Sequence, residues 1–197
     1  NTDEIKKLDN FKPLNYYSKS KILLDQFVKK NIKNKMQIVG LRYFNVYGLN
    51  ENHKLGMASP IHSFFNQIKS KNRCKIFDKF DGFKKGEHIR DFVSVKDCAN
   101  ANILAMKSKA TNHHLNVGTG VSTSLKKLAE LIVYLTKFKG NINCKPQNNK
   151  TLVRNRVGST SKAKSLIGFK SQISIEEGLR EVLKWRYSEA KREIDFE

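Results

Sequence analysis

Leu14-Asn15-Tyr16-Tyr17-Ser18-Lys19-Ser20-Lys21-Ile22-Leu23-Leu24-Asp25-Gln26-Phe27-Val28, followed by Met36-Gln37-Ile38-Val39-Gly40-Leu41-Arg42-Tyr43, decides the fold. In the first run the apolar residues fall at Ile22, Leu23, Leu24, Phe27 and Val28, which is helical spacing and predicts a helix from about 16 to 34. The second is a short apolar run bounded by Asn34 and Asn45, and it reads as a buried parallel strand. Helix then strand is half of a βαβ unit. A parallel sheet follows, with its remaining strands expected outside this chain.

The same helix carries candidate chemistry. Tyr17 and Lys21 are i and i+4, stacked on one face about 6 Å apart. A cation beside a phenol favours the phenolate and lowers a pKa that is otherwise about 10. Tyr17 is therefore a candidate general acid/base. The plain alternative is a surface lysine beside a half-buried tyrosine, because Tyr-x-x-x-Lys alone is a common spacing.

Composition limits the other function classes. The 197 residues are 39% hydrophobic and 28% charged, as expected for a soluble globular protein of one or one and a half domains. No run of about 18 apolar residues exists, so no membrane partner is expected. The opening Asn-Thr-Asp-Glu-Ile has neither a signal-peptide pattern nor an initiator Met, which reads as an internal piece of a longer chain. Cys74, Cys98 and Cys144 form no C-x-x-C pair, which argues against a disulfide framework or zinc site and fits a reducing cytoplasm. His53 and His62 have no partner at metal spacing, and His113 and His114 are adjacent, so no metal is expected. The net charge of +20 raises the class of polyanion-binding proteins. The charge is mostly Lys, spread along the chain without interleaved Arg and aromatics, so no nucleic-acid partner is expected.

Further along, Asn45 to Gly56 reads as a loop leaving the carboxyl edge of the strand, where open α/β sheets bind ligands. Lys54 in that loop stands out between His53 and Gly56. Pro60 opens a helix carrying Ile61, Phe64, Phe65 and Ile68. Lys75 to Asp78 and Arg90 to Val93 read as short strands, with a Gly-containing loop over 81–87 between them. Asp97 is expected to cap a helix, and Ser122 or Thr123 the next one. Between these helices His114 to Gly118 reads as a strand ending in the turn Gly118-Thr119-Gly120. Ile142 to Cys144 is a weak strand, 146–156 irregular, Lys162 to Leu166 a short helix ended by Gly168. Ser174 with Glu177 is a capping box opening a last helix through Trp185.

Five stretches in this order resemble the extended short-chain dehydrogenase/reductase family of nucleotide-sugar epimerases and dehydratases. They are Tyr17-x-x-x-Lys21, Leu41-Arg42-Tyr43-Phe44-Asn45-Val46-Tyr47-Gly48, Arg90-Asp91-Phe92-Val93-Ser94-Val95-Lys96-Asp97, Leu115-Asn116-Val117-Gly118-Thr119-Gly120, and Lys162 to Phe169 with Glu176-Glu177-Gly178-Leu179. Within that family, Leu14-Asn15-x-Tyr17-x-x-Ser20-Lys21-x-Leu23-x-Asp25 and Glu51-x-His53-Lys54-x-x-Met57-Ala58-Ser59 are similar to the ADP-glyceromanno-heptose 6-epimerases.

The resemblance implies an α/β fold: the C-terminal part of an NAD(P)-binding Rossmann domain over 1–49, then a smaller mixed α/β substrate-binding domain over 50–197. Segments from about 90 to 120 would pack back on the first part. It implies an isomerase that oxidises C6 of an ADP-heptose to a ketone and re-reduces it on the other face, with NADP (or NAD) as cofactor. Tyr17 and Lys54 would be acid/base groups for the two epimers, and Lys21 would hold the nicotinamide ribose. One fixed tyrosine cannot easily meet the hydroxyl on both faces of a ketone. Val46 and Lys54 would also touch the cofactor. Asn45, Gly56, Ser63, Phe77, Arg90 and Arg154 would contact substrate, Arg90 at the pyrophosphate and Phe77 near the adenosine. Gly56 stands where these enzymes have Ser, and Ser63 where they have a substrate-contacting His. The family's G-x-x-G-x-x-G turn and third catalytic Ser or Thr lie upstream of Tyr17 and have no counterpart here. A homo-oligomer is expected of the full-length enzyme, and an isolated fragment is expected to be inactive. The alternatives are a UDP-, GDP- or dTDP-sugar 4-epimerase or 4,6-dehydratase, and, in a different class, a non-catalytic basic polyanion-binding fragment.

Overall fold

The computed structural model describes residues 13, 15–31, 37–71, 74–77, 86–110, 113–139, 142–145 and 157–194. The chain runs α1 (Tyr16–Asn31), β1 (Val39–Tyr43), β2 (Asn45–Tyr47), a 3-10 segment (Asn52–Met57), α2 (Pro60–Lys71) and β3 (Cys74–Phe77). Then come β4 (Ile89–Arg90), β5 (Phe92–Ser94), α3 (Val95–Lys107), β6 (His113–Val117), β7 (Thr123–Ser124) and α4 (Leu125–Thr136). β8 (Ile142–Lys145), α5 (Ser161–Ile167) and α6 (Ile175–Ile194) complete it. The fold is mixed α/β, as the sequence implied.

Among the described residues, three of the four strand pairs are parallel. β1 lies beside β6 with Val39 opposite His113 and Tyr43 opposite Val117. β2 lies beside β5 with Asn45 opposite Phe92, and β3 beside β8. Only β4 and β7 pair antiparallel. α3 connects β5, which pairs with β2, to β6, which pairs with β1. At Phe44 the chain changes partner. The Phe44 amide donates to the Val117 carbonyl at 3.1 Å, and the next amide, Asn45, to the Asp91 carbonyl at 2.9 Å. The strand thus leaves β6 and joins β5 within one residue.

Two cores result. One gathers Tyr47, Ile61, Phe64, Ile76, Phe92, Leu128, Ile132, Leu179 and Val182 from β2, α2, β3, β5, α4 and α6. The other gathers Val93, Cys98, Ala101, Leu115, Val117, Ala163, Ile167 and Phe169 around the β1–β6 pair. The free thiols Cys74 and Cys98 are buried, and burial pushes them up to about 11 and about 12. They are core hydrophobes, without the exposed thiolate that reactivity needs.

Several boundaries differ from the sequence reading. β1 begins at Val39 and is only half-buried, because β6 flanks one of its edges and, among the described residues, nothing pairs with the other. Asn45 to Tyr47, expected as loop, is strand, because β5 offers it a ladder. The strand expected over Arg90 to Val93 breaks at Asp91 into two. Ser94 caps α3 by accepting the Lys96 amide. Asp97 instead sits buried in its first turn, accepting from Ser171 Oγ and the amides of Gln172 and Ile173. Ser124, rather than Ser122 or Thr123, caps α4. The Ser174–Glu177 capping box forms as expected, each group serving the other's backbone amide. The last helix runs past Trp185 to Ile194. Most of the 81–87 loop and all of 146–156 lie outside the described residues.

Tyr47 is 2% exposed, and its hydroxyl donates to the Ser174 carbonyl at 3.4 Å. A Cβ on Gly178 would come within 1.9 Å of that hydroxyl oxygen, while one on Gly56 would meet nothing within 4 Å. Gly178→Ala should therefore destabilise the fold by about 1–3 kcal/mol, and Gly56→Ala by less than about 0.5. Urea midpoints of the two variants check this; equal midpoints would contradict it.

Three buried histidines set a second expectation. Burial pushes His62, His88 and His114 below the ordinary imidazole range. The nearby cations Arg186, Arg90 and Arg42 push the same way. Each then binds its proton more readily in the unfolded chain. Their stabilisation is complete above the unfolded value of about 6.5 and is lost as pH falls toward the folded values. The urea midpoint should be lower at pH 5.5 than at pH 7.5; an unchanged or higher midpoint at the lower pH overturns this account.

Candidate active site

α1 starts where Asn15 Oδ1 accepts the Ser18 amide at 2.8 Å, a side-chain cap for its first turn. Tyr17 and Lys21 follow on one face, and Lys21 Nζ lies 5.1 Å from the centre of the Tyr17 ring. Tyr17 is 66% exposed, so its phenol is open rather than sealed in hydrocarbon. One turn further along the same face, Asp25 ties the helix to the sheet. Its Oδ2 lies 2.5 Å from Arg42 Nη2 on β1, and its Oδ1 accepts from His114 Nε2 on β6 at 2.8 Å.

At the carboxyl ends of β1 and β6, the fully buried Asp91 organises the switch. Its carboxylate accepts from the Thr119 amide, the Thr119 hydroxyl and the Gly120 amide at 2.6–2.8 Å. Its carbonyl accepts from both the Asn45 amide and Asn45 Nδ2. Asn45 is thereby fixed at the edge where β2 begins, with Val46 opposite Val93. Arg90 is buried, one residue before Asp91, and its Nη1 donates to the Ile89 carbonyl. The Gly118–Gly120 stretch is a turn, as expected, and Asp91 is what closes it.

The 3-10 segment carries Lys54. Glu51, 4% exposed, accepts the Gly48 amide at 3.2 Å and the Ser59 amide at 2.7 Å, and its Oε2 lies 3.8 Å from Lys54 Nζ. Leu55 next door has φ 47° and ψ −125°, a conformation that L residues rarely adopt. Local strain of this kind clusters at functional sites. Arg186 on α6 donates to Asn52 and, at 2.6 Å, to Asn66, whose amide donates to His62 Nε2 at 3.0 Å. The C-terminal helix thus props the segment from behind. Gly56 and Ser63 are exposed, Ser63 Oγ accepting from Gln67.

Of the residues singled out from sequence, Tyr17 meets Lys21, and Asn45 and Arg90 flank Asp91. Lys54 stands on its own loop with Glu51. The side chain of Phe77 and the whole of Arg154 lie outside the described residues. Asp25, His114, Glu51, Asp91 and Arg186 were not singled out as site residues. Asp25 had a signal, falling four residues after Lys21 on the Tyr17 face. Arg186, more than a hundred residues from Asn52, had none. Among the described residues no group of three or more His, Cys, Asp or Glu could hold a metal, and no helix is long and apolar enough to cross a membrane.

The family described as NAD dependent epimerase/dehydratase matches residues 1–118. Two curated relatives are ADP-L-glycero-D-manno-heptose-6-epimerases. That of Alkalilimnicola ehrlichii is 37% identical over 123 residues, covering 62% of this chain and 38% of its own length. That of Thiobacillus denitrificans is 44% identical over 118 residues, covering 59% of this chain and 36% of its own. The matches thus span well under half of either relative. Among solved structures, UDP-glucose 4-epimerase from Thermotoga maritima, determined with UDP-glucose, superposes with a TM-score of 0.75 at 28% identity. That match covers 88% of this chain and 53% of that one. The Tyr17–Lys21 pair and the parallel strands that meet at Phe44 lie inside the matched stretch, and on that match this chain belongs to the NAD dependent epimerase/dehydratase family.

Proposed function

We propose that this chain is the substrate-side part of an NAD(P)-dependent nucleotide-sugar epimerase, acting on an ADP-heptose at C6. The observation that carries the reading is the exposed Tyr17 phenol with the Lys21 ammonium over its ring, on a helix tied to the carboxyl end of a parallel strand pair. The heptose assignment rests on the two relatives at 37% and 44% identity and on the Glu51-x-His53-Lys54 loop.

The residues present fit a nicotinamide cofactor on the sugar side. Tyr17 is open to a ligand hydroxyl, and Lys21 offers N–H donors beside it. When bound, that cofactor would supply reversible hydride transfer at the sugar carbon. Tyr17 takes or returns the hydroxyl proton on one face of the ketone. Lys54 does so on the other, its ammonium held by the buried Glu51 carboxylate. Asn45, fixed by Asp91, orients the sugar, with Gly56 and Ser63 exposed nearby in sequence on the Lys54 side. Arg90 clamps the pyrophosphate from a largely dry place, where a charge-assisted bond is strong. Val46, Phe77 and Arg154 complete the proposed contacts. We take NADP as the cofactor in preference to NAD, a homo-oligomer as the complete enzyme and the cytoplasm as its place.

Residues 1–49 are then the C-terminal end of the nucleotide-binding domain and 50–197 the substrate domain, with 90–120 returning to the first. The pairing of β5 and β6 with β2 and β1 supports that return. The uncovered flank of α1, where Leu23, Leu24 and Phe27 are 54–65% exposed, supports a further nucleotide-binding half docking there. A UDP-sugar 4-epimerase is the second reading, favoured by the fold match to the enzyme solved with UDP-glucose.

The test supplies a family nucleotide-binding half, fused upstream or co-expressed, and follows ADP-D-glycero-D-manno-heptose for inversion at C6. Tyr17→Phe and Lys54→Met should each lower turnover by about 10²-fold or more while leaving nucleotide-sugar binding nearly intact. Inversion of UDP-glucose at C4 instead would favour the second reading. Wild-type turnover by Lys54→Met would remove Lys54 from the mechanism.

A further inference from the structure

We infer that Asp25, gripped by Arg42 and His114, is the positioning residue that sets the Tyr17–Lys21 pair, an inference that rests on the reading of those two residues as catalytic. Tyr17, Lys21 and Asp25 are spaced i, i+4 and i+8 and so share one face of α1. Neither core includes a residue of α1, and Leu23, Leu24 and Phe27 on its flank are exposed. Apolar packing among the described residues therefore does little to fix the helix. The polar clamp at Asp25 is its best-defined attachment to β1 and β6.

The clamp is built into the strands. A Cβ on Gly40 would come within 2.6 Å of His114 Cδ2, so the β1 residue opposite His114 is one that leaves room for the ring. His114 is 6% exposed, and its Nδ1 is buried with no hydrogen-bond partner. A proton on Nδ1 would be stranded without an acceptor, so the ring is neutral and carries its proton on Nε2, toward Asp25. Burial keeps it neutral; the Asp25 carboxylate pulls the other way, and the charges of Arg42 and Lys162 add to the effect of burial. One carboxylate oxygen thus takes a guanidinium and the other a neutral N–H, which leaves both Asp25 oxygens committed. Two helical turns separate Asp25 from Tyr17, so a tilt at the clamp is carried to the phenol. A displacement of about 1 Å at a reacting group can cost about 10²-fold in rate.

Hydrogen exchange on this chain tests the clamp. Asp25→Ala and His114→Leu should speed exchange of the α1 amides by about tenfold or more relative to α4, whose rates report that each variant is folded. His114→Gln, which keeps an N–H donor, should stay close to wild type. Unchanged α1 exchange in Asp25→Ala overturns the clamp, and equal behaviour of His114→Gln and His114→Leu removes His114 from it. With the nucleotide-binding half present, Asp25→Ala should lower kcat by about tenfold or more while KM stays within about twofold. Loosened α1 with wild-type kcat overturns the positioning role. A wild-type enzyme without epimerase activity sinks the functional reading, while the exchange result still decides the clamp.

Discussion

A single buried carboxylate, that of Asp91, joins three stretches of this molecule that lie apart in sequence. It interrupts what would be one strand, so that Ile89–Arg90 pairs with β7 and Phe92–Ser94 with β2. Its side chain accepts three hydrogen bonds from the turn after β6, and its carbonyl accepts the Asn45 amide at the start of β2. An ionised carboxylate with no exposure is tolerable only because donors surround it, each charge-assisted bond contributing about 1.5–3 kcal/mol. Removing those donors would leave a buried charge without partners, so the turn at Gly118–Gly120 and the switch at Phe44 must form together. The carboxyl edge of the sheet is therefore cooperative: Asn45, Arg90 and the turn take up their positions as one unit.

Much of this was readable from residue order because local signals and tertiary structure agree. The helical spacing at Ile22 to Val28, the Ser174–Glu177 box and the Pro60 start all appear where the pattern put them. The failures share a cause. Asn45–Val46–Tyr47 looks like a loop because Asn45 and Gly48 bound it, and only the neighbouring β5 makes it a strand. Asp97 looks like a cap because it precedes a helix. Its carboxylate is in fact claimed by residues 171–173, which no local rule foresees. The candidate site was read from Tyr17, Lys21 and Lys54, whose residue types suggest chemistry. The residues that hold them, Asp25, Glu51 and Arg186, were harder to see, since an anchoring role depends on partners that local sequence does not reveal.

The two candidate proton-transfer groups are supported in opposite ways. Lys54 sits on a short segment whose backbone is strained at Leu55, yet Glu51 and Arg186 brace it from a well-packed core. Tyr17 sits on a regular helix with ideal local geometry, yet that helix contributes nothing to either core. A sixteen-residue helix with little packing is marginal in water, since most helical stability comes from burying an apolar face. The apolar face exists here, at Leu23, Leu24 and Phe27, and it is exposed. A mixed polar and apolar groove lined by Gln37, Val39, Leu41, Tyr43, Asn102, Ala105 and Met106 is open as well, and has a volume of about 410 Å³. Covering them would bury apolar area at about 25 cal/mol per Å² and would fix α1 without altering any contact at Lys54. The Lys54 side of the site is thus already braced within this chain. The Tyr17 side, among the described residues, is held to the strands through Asp25.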